Sequence, residues 1–559
     1  MRPQLGASFQ TVQWLMARDS ALRAAPVAAS IREHDDLLAD RPFLGRLGLF
    51  YVALSLLVLF TLDRFWSANW DAETFLHAAR TFRDGSSAWD LYEKSREART
   101  WPYAYPPAFA IALAPFVWLA DVLSGQVATG PLQLAALRVP ILIADIAIAT
   151  LLHRILRRAT GELWIARLGA AVWLFNPILF YHTAVQAHLE SLWLWPTLAA
   201  YSWLQERGRE RAWWPMLLLV AAMAVKQSAV LYAAPFALWL LAERRWKDLA
   251  TFALLFVLGF GGLALPFLLH SDDFRFMLLD FVAQMPVQVQ SWQVWTLALP
   301  AFAVEQTRTT FPTVRYATLL VAGGVTLSAL WGLRKGRSWY AIGTMVILTT
   351  FLLSHKVMAY HYPMLLPWLI VWGLRTRRFG TVALALVWTS WVLVSPYFAP
   401  WASASHLPFY ALLGTLNSIF YGWLLWQVIV GDEQTESVTR PEQAQPAANL
   451  ARWMVLLATG FIFACIAQPI TALLPRTLPM MLSLLGGVLF VTLLGFSLLA
   501  TRVERALALP ASHSATLPSA RYIAVALLLV PLFFTWFTMT AEVTAVIEKG
   551  VTEAWALQP

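Results

Sequence analysis

Apolar stretches of roughly 14 to 24 residues recur along the whole chain, continuous rather than alternating. A helix satisfies its own backbone hydrogen bonds in hydrocarbon, and about 20 apolar residues cross a ~30 Å core. Alternating positions would have pointed to a barrel instead. The pattern therefore predicts an all-α, polytopic transmembrane bundle of about 13–16 spans. The first run is 43–62. Later ones lie at 106–124, 132–152, 163–181, 189–205, 213–242, 249–269, 313–333, 339–354, 362–374, 380–397, 409–429, 451–474, 478–500 and 521–541. The 213–242 stretch is too long for one span and reads as two short ones broken near Lys226. Two long polar loops interrupt the series, at 63–105 and 270–312. A third polar segment, GDEQTESVTRPEQAQPAA from Gly431 to Ala448, has the low hydrophobicity of a disordered linker. The chain thus divides into a body, 1–430, a polar cytoplasmic linker, 431–450, and a three-span appendage, 451–559.

Composition narrows the class. Of 559 residues, 59% are apolar and 13% charged, against about 25% charged in an average soluble protein, which excludes a soluble globular chain. The net charge of +9 does not signal a nucleic-acid partner, because many basic residues sit in short loops between spans. Counted from 270–312 as an outside loop and with 213–242 as a hairpin, Arg157 and Arg158, Arg207 to Arg211, Arg244 to Lys247, Arg334 to Arg337, Arg375 to Arg378, and Arg502 with Arg505 all fall on one side; 63–105 is also taken to lie outside. One parity fails: 106–152 needs an odd number of crossings and shows two runs. Either 106–124 is partly re-entrant or the Arg157 cluster departs from the rule. The first 42 residues lack an apolar core, so no cleavable signal is expected and the N-terminus is placed in the cytoplasm of a multi-pass cell-membrane protein. The lone Cys465 excludes an intrachain disulfide.

Asp71 opens an amphipathic stretch in which Phe75, Ala78, Ala79 and Phe82 recur at helical spacing, placing a carboxylate at the start of a membrane-surface helix. In WDAETFLHAARTFRDGSSAWDLY and the following WPYAYPPAFAIALAPF, the sequence resembles the first extracytoplasmic loop and second span of GT-C glycosyltransferases. It is most similar to polyprenol-phosphate-mannose-dependent mannosyltransferases and to the GPI-anchor mannosyltransferase. Asn69 replaces the first acid of the latter's pair. Looser resemblances follow in FNPILFYHTAVQAHLESL, AAMAVKQSAVLYAAPFALWLLAERRW and LLSHKVMAYHYPMLLPWL, covering about residues 44–375. The resemblance implies a GT-C-type fold, an extracytoplasmic active site and Asp71 as the catalytic residue. The implied reaction is inverting transfer of a hexose, mannose first, from a polyprenyl-phosphate donor to a glycolipid or glycan acceptor. No cofactor is implied, and the missing second acid argues against a divalent metal.

Chemistry alone marks the same regions. A departing lipid phosphate needs nearby positive charge or donors. Lys226 and Gln227 interrupt an apolar stretch, so Lys226 is either a donor-phosphate ligand or a snorkelling lysine at a hairpin tip. His355, Lys356, His361 and Tyr362 form a polar cluster that reads either as a donor site or as interfacial anchoring. Removing the acceptor proton needs one positioned carboxylate, Asp71; Glu73, two residues on, faces away and ranks second as an acceptor contact. Tyr105, Gln186, His188, Glu190 and Trp292 are candidate sugar or acceptor contacts, or else ordinary turn and anchor residues. The spacing of His182, His188 and Glu190 does not suit a metal. Asp145, alone in a span, is expected to pair with another helix. The competing readings are a secondary transporter or lipid-linked-sugar flippase, and a structural subunit of an envelope assembly.

Overall fold

The structure is a computed structural model. It describes residues 40–62, 70–84, 88–97, 103–127, 129–207, 212–277, 291, 312–357, 359–393, 407–431, 444–473, 477–509 and 520–538. Two compact units divide the chain, residues 1–50 and 51–559. In the first, the described residues begin the helix Arg41–Leu62, and Leu49 and Phe50 are exposed. The second unit carries everything below.

All regular elements among the described residues are helices. Six are long and apolar enough to cross a membrane: Arg41–Thr61, Pro131–Thr160, Trp246–His270, Ala411–Val430, Ala444–Ala467 and Leu478–Ala506. A seventh candidate is the pair Leu163–Leu174 and Pro177–Gln186, bent by 43°. Pro312–Arg334 and Ala520–Thr538 run to 23 and 19 residues, while apolar helices such as Ala108–Ser124, Trp213–Val225, Trp339–Leu353 and Phe379–Leu393 have 17 or fewer, about 26 Å at most at 1.5 Å per residue and short of a ~30 Å core. The expected 13–16 full spans are therefore not matched by length among the described residues. Part of the reason is packing. Leu163–Leu174, Trp339–Leu353 and Leu366–Arg375 are buried at most positions by protein, with Trp173, Trp368 and Trp372 fully enclosed. A helix apolar all round suits a protein interior as well as lipid, and hydropathy alone does not separate the two.

The long helix Pro131–Thr160 starts with Pro131 at its first turn and stops at Gly161, whose φ of 71° continues the chain left-handed. Its buried stripe runs through Leu134, Arg138, Ile141, Asp145, Ile148 and Leu152, so Arg138 and Asp145 lie on one face two turns apart. The 213–242 stretch breaks where expected, into Trp213–Val225 and Val230–Ala242, with Lys226 in extended backbone between them.

The structure adds detail to two expectations. The helix Trp70–Arg83 does bury Ala72, Phe75, Leu76, Ala78 and Ala79, but against protein rather than a lipid surface. Phe75 meets Phe109 edge-on at 4.8 Å, and Arg80 and Arg83 both clasp Asp121 of Ala108–Ser124 at 2.8 Å. The linker 431–450 ends early, because Ala444–Leu473 is one helix. That helix is no loose appendage: 83% of its apolar window is buried. It packs on Phe379–Leu393, Leu163–Leu174 and Pro177–Phe180 as well as on the two helices that follow it, and Phe461 stacks on Phe180 at 6.5 Å.

Candidate functional site

Four separate stretches of the chain supply the charged groups and imidazoles of one polar cluster. Asp71 sits in the first turn of Trp70–Arg83, where a carboxylate is favoured by the unpaired amides of the helix start. The second stretch follows the bend in 163–186. Asn176 caps the short helix Pro177–Phe180 by accepting from the Ile178 amide at 3.0 Å, and residues Tyr181–Gln186 then wind as a π-helix. Ala187 turns the chain left-handed at φ 56°, closed by the His188 amide donating to the His182 carbonyl at 2.9 Å. This reversal delivers His188 and then Glu190, which opens the helix Glu190–Arg207.

The third stretch is the break at Lys226. The Gln227 side-chain amide donates to the Ala104 carbonyl at 2.9 Å and ties the break to the strand of chain before Ala108–Ser124. The fourth is 354–364, in which the Ser354 hydroxyl accepts from the Lys356 amide at 3.1 Å and Ala359–Met364 forms a 3-10 turn.

Within the cluster, His188 Nε2 faces Asp71 Oδ2 at 3.1 Å, with the imidazole buried and the carboxylate 28% exposed. On its other side His188 Nδ1 lies 3.7 Å from Glu190 Oε2. Glu190 is bonded to Lys226 in a buried ion pair. The ring of Tyr360 stacks on His188 at 4.3 Å. The Lys226 ammonium lies over two aromatic faces, Tyr105 at 5.4 Å and Tyr360 at 5.5 Å.

The charges here feel one another. Burial, reinforced by Lys226, pushes the Lys356 ammonium down to about 8, against the pull of Asp71 and Glu190. Burial followed by Lys226 and Lys356 holds His361 well below the ordinary histidine range. Tyr105 and Tyr360 are both raised, by burial first and by the Asp71 and Glu190 carboxylates next, so they remain phenols. The cluster thus combines two carboxylates, two lysines, neutral imidazole and phenol donors. It can hold an anion, stack a sugar ring and accept a proton.

No protein-family model and no curated protein matches this chain.

Asp71, Tyr105, His188, Glu190, Lys226, Lys356 and His361, all marked from sequence, are thus brought together. Others are not. Glu73 is exposed, across the helix from buried Ala72 and Phe75. Tyr362 is fully buried between Phe351 and Tyr421, 5.3 and 6.0 Å away, and serves as core. Gln186 is engaged by His182 Nδ1 at 2.9 Å, and Gln227 by backbone as above. His355 is buried beside Lys356 in sequence. Trp292 and Asn69 lie outside the described residues. Among the described residues no group of three or more His, Cys, Asp or Glu is arranged to hold a metal ion.

Four residues around the site escaped the sequence reading as site residues: Tyr360, His182, Arg138 and Asp145. Tyr360 lay inside a polar segment already singled out, unmarked between its histidine neighbours. Arg138 and Asp145, seven apart in an apolar run, carried a readable signal, since two opposite charges on one buried face demand partners.

Proposed function

We propose that this chain is a membrane glycosyltransferase of GT-C type, transferring a hexose from a polyprenyl-phosphate donor to a glycolipid or glycan hydroxyl on the extracytoplasmic side, with inversion. The observation that supports this reading is the approach of the Asp71 carboxylate to His188, beside the buried Lys226–Glu190 pair and the Lys356 cation. A base for the acceptor and positive charge for a phosphate stand within one cluster.

In this mechanism Asp71 takes the proton of the acceptor hydroxyl as its oxygen attacks the anomeric carbon. The bond from that carbon to the phosphate oxygen breaks, and polyprenyl phosphate leaves with the electron pair. Lys356 and Lys226 stabilise the charge that develops on the leaving phosphate. His188 orients the Asp71 carboxylate, and Tyr105 and Tyr360 offer ring faces to the sugar. One carboxylate suffices for a single displacement, so no glycosyl-enzyme intermediate forms.

The test is transfer of label from a polyprenyl-phosphate [14C]mannose donor to membrane acceptors by purified protein. Asp71→Asn should lower kcat by about 10²–10⁴ with an unchanged elution profile. Near-wild-type turnover by a folded Asp71→Asn protein removes Asp71 from the chemistry. Absence of transfer by the wild type from any prenyl-linked monosaccharide removes the transferase reading.

A further inference from the structure

The segment Tyr181–Ser191 carries two of the cluster's central groups, yet its backbone is irregular up to Leu189: a π-helix, a left-handed alanine and two residues outside any helix before Glu190–Arg207 begins. Such backbone does not hold itself. The last carbonyls of a π-turn lack intrahelical partners, and a non-glycine residue at positive φ costs about 1–2 kcal/mol. Something outside the segment must fix it.

Two ionisable side chains on one face of Pro131–Thr160 do so. Arg138, 1% exposed, donates through Nε to the Ala184 carbonyl at 2.6 Å and through Nη2 to the Val185 carbonyl at 2.8 Å. Its remaining nitrogen donates to the Leu134 carbonyl of its own helix at 2.7 Å. Asp145, fully buried, accepts from Thr183 Oγ1 at 2.8 Å, from the Ser191 hydroxyl, and from Tyr51 OH at 2.7 Å. Arg138 therefore grips the segment just before Ala187, and Asp145 grips it at Thr183 and again at Ser191, bracketing His188 and Glu190.

We propose that Arg138 and Asp145 are positioning residues that set the register of His188 and Glu190 against Asp71 and Lys226. This rests on the transferase reading only for its kinetic consequence. The placement itself is read by a method that needs no turnover.

Diethylpyrocarbonate labelling, followed by peptide mass spectrometry, reports how often the buried His188 imidazole opens to solvent. In Arg138→Gln and Asp145→Asn, His188 should label about tenfold faster than in wild type. The equally buried His153, two turns beyond Asp145 on the same helix, should keep its rate. Arg138→Lys, which retains the charge on a single donor nitrogen in place of three, should fall between and supplies the result if Arg138→Gln does not fold. In transfer assays kcat should fall about 10²-fold with the donor KM within about threefold, the signature of misplacement rather than lost binding. Unchanged His188 labelling in folded variants overturns the proposal, and so does equal acceleration at His153, which marks general loosening. Faster His188 labelling together with an inert wild type supports the positioning role and defeats the transferase reading alone.

Discussion

Separating Lys226 from Glu190 should be expensive, and unequally so. The two side chains are 6% and 2% exposed, so each charge has given up nearly all its water. Removing one partner of such a buried pair leaves an uncompensated charge, typically at about 3–5 kcal/mol. The surroundings split this figure. In Glu190→Gln the Lys226 ammonium keeps the faces of Tyr105 and Tyr360, each worth about 0.5–2 kcal/mol to a cation. In Lys226→Met the Glu190 carboxylate keeps only the His188 ring at 3.7 Å and the more distant field of Lys356. Lys226→Met should therefore destabilise by about 4–5 kcal/mol and Glu190→Gln by about 2–3 kcal/mol. The double variant, with neither charge present, should recover most of the loss, because a desolvated pair and its neutral replacement lie close in free energy. Unfolding in mixed micelles titrated with SDS, followed by tryptophan fluorescence, measures all four proteins. Equal single losses below about 1 kcal/mol, or losses that simply add in the double variant, would refute the argument.

Other outcomes follow from the same geometry. Because Lys356 is depressed to about 8 from an ordinary 10.5, its positive charge is present below that value and lost as pH rises through it. Donor KM should accordingly rise above pH 8, and Lys356→Arg should flatten the rise. Gly343→Ala would place a methyl 2.6 Å from the ring of Trp368, which is fully buried and stacked on Tyr232 at 4.8 Å, so the fold should lose about 1–3 kcal/mol in the same unfolding titration. Asp121→Ala leaves Arg80 and Arg83 without their shared carboxylate. It should cost about 2–3 kcal/mol and speed proteolysis of the 63–105 loop, read by limited trypsin digestion.

How much could be read beforehand differs between fold and site for a physical reason. Hydropathy recorded which residues avoid water but not whether lipid or protein excludes it. Leu366–Arg375 and Trp339–Leu353, which read as spans, are buried at most positions by protein. The amphipathic period of Trp70–Arg83 was legible, while its partner was not, because Phe109 and Asp121 lie more than thirty residues ahead. In the site, Lys226 stood out because charge within apolar sequence is costly and must be used, whereas Asp71 stood out at the start of an amphipathic stretch. Tyr362 is buried among aromatic rings while Tyr360 stacks on His188, and which of the two faces the cluster depends on a 3-10 turn that no local pattern announces.

The contact of Phe461 with Phe180 sets an order of events during biosynthesis. The bent segment that presents His188 leaves the ribosome about 280 residues before the helix that backs it. Until Ala444–Leu473 has been inserted, the Pro177–Phe180 turn lacks one of its walls. A nascent or prematurely terminated chain ending near the polar stretch at 431–443 would reach the bilayer with every charged group of the cluster present and that wall missing. The surroundings of the cluster are thereby complete only once Ala444–Leu473 has been made.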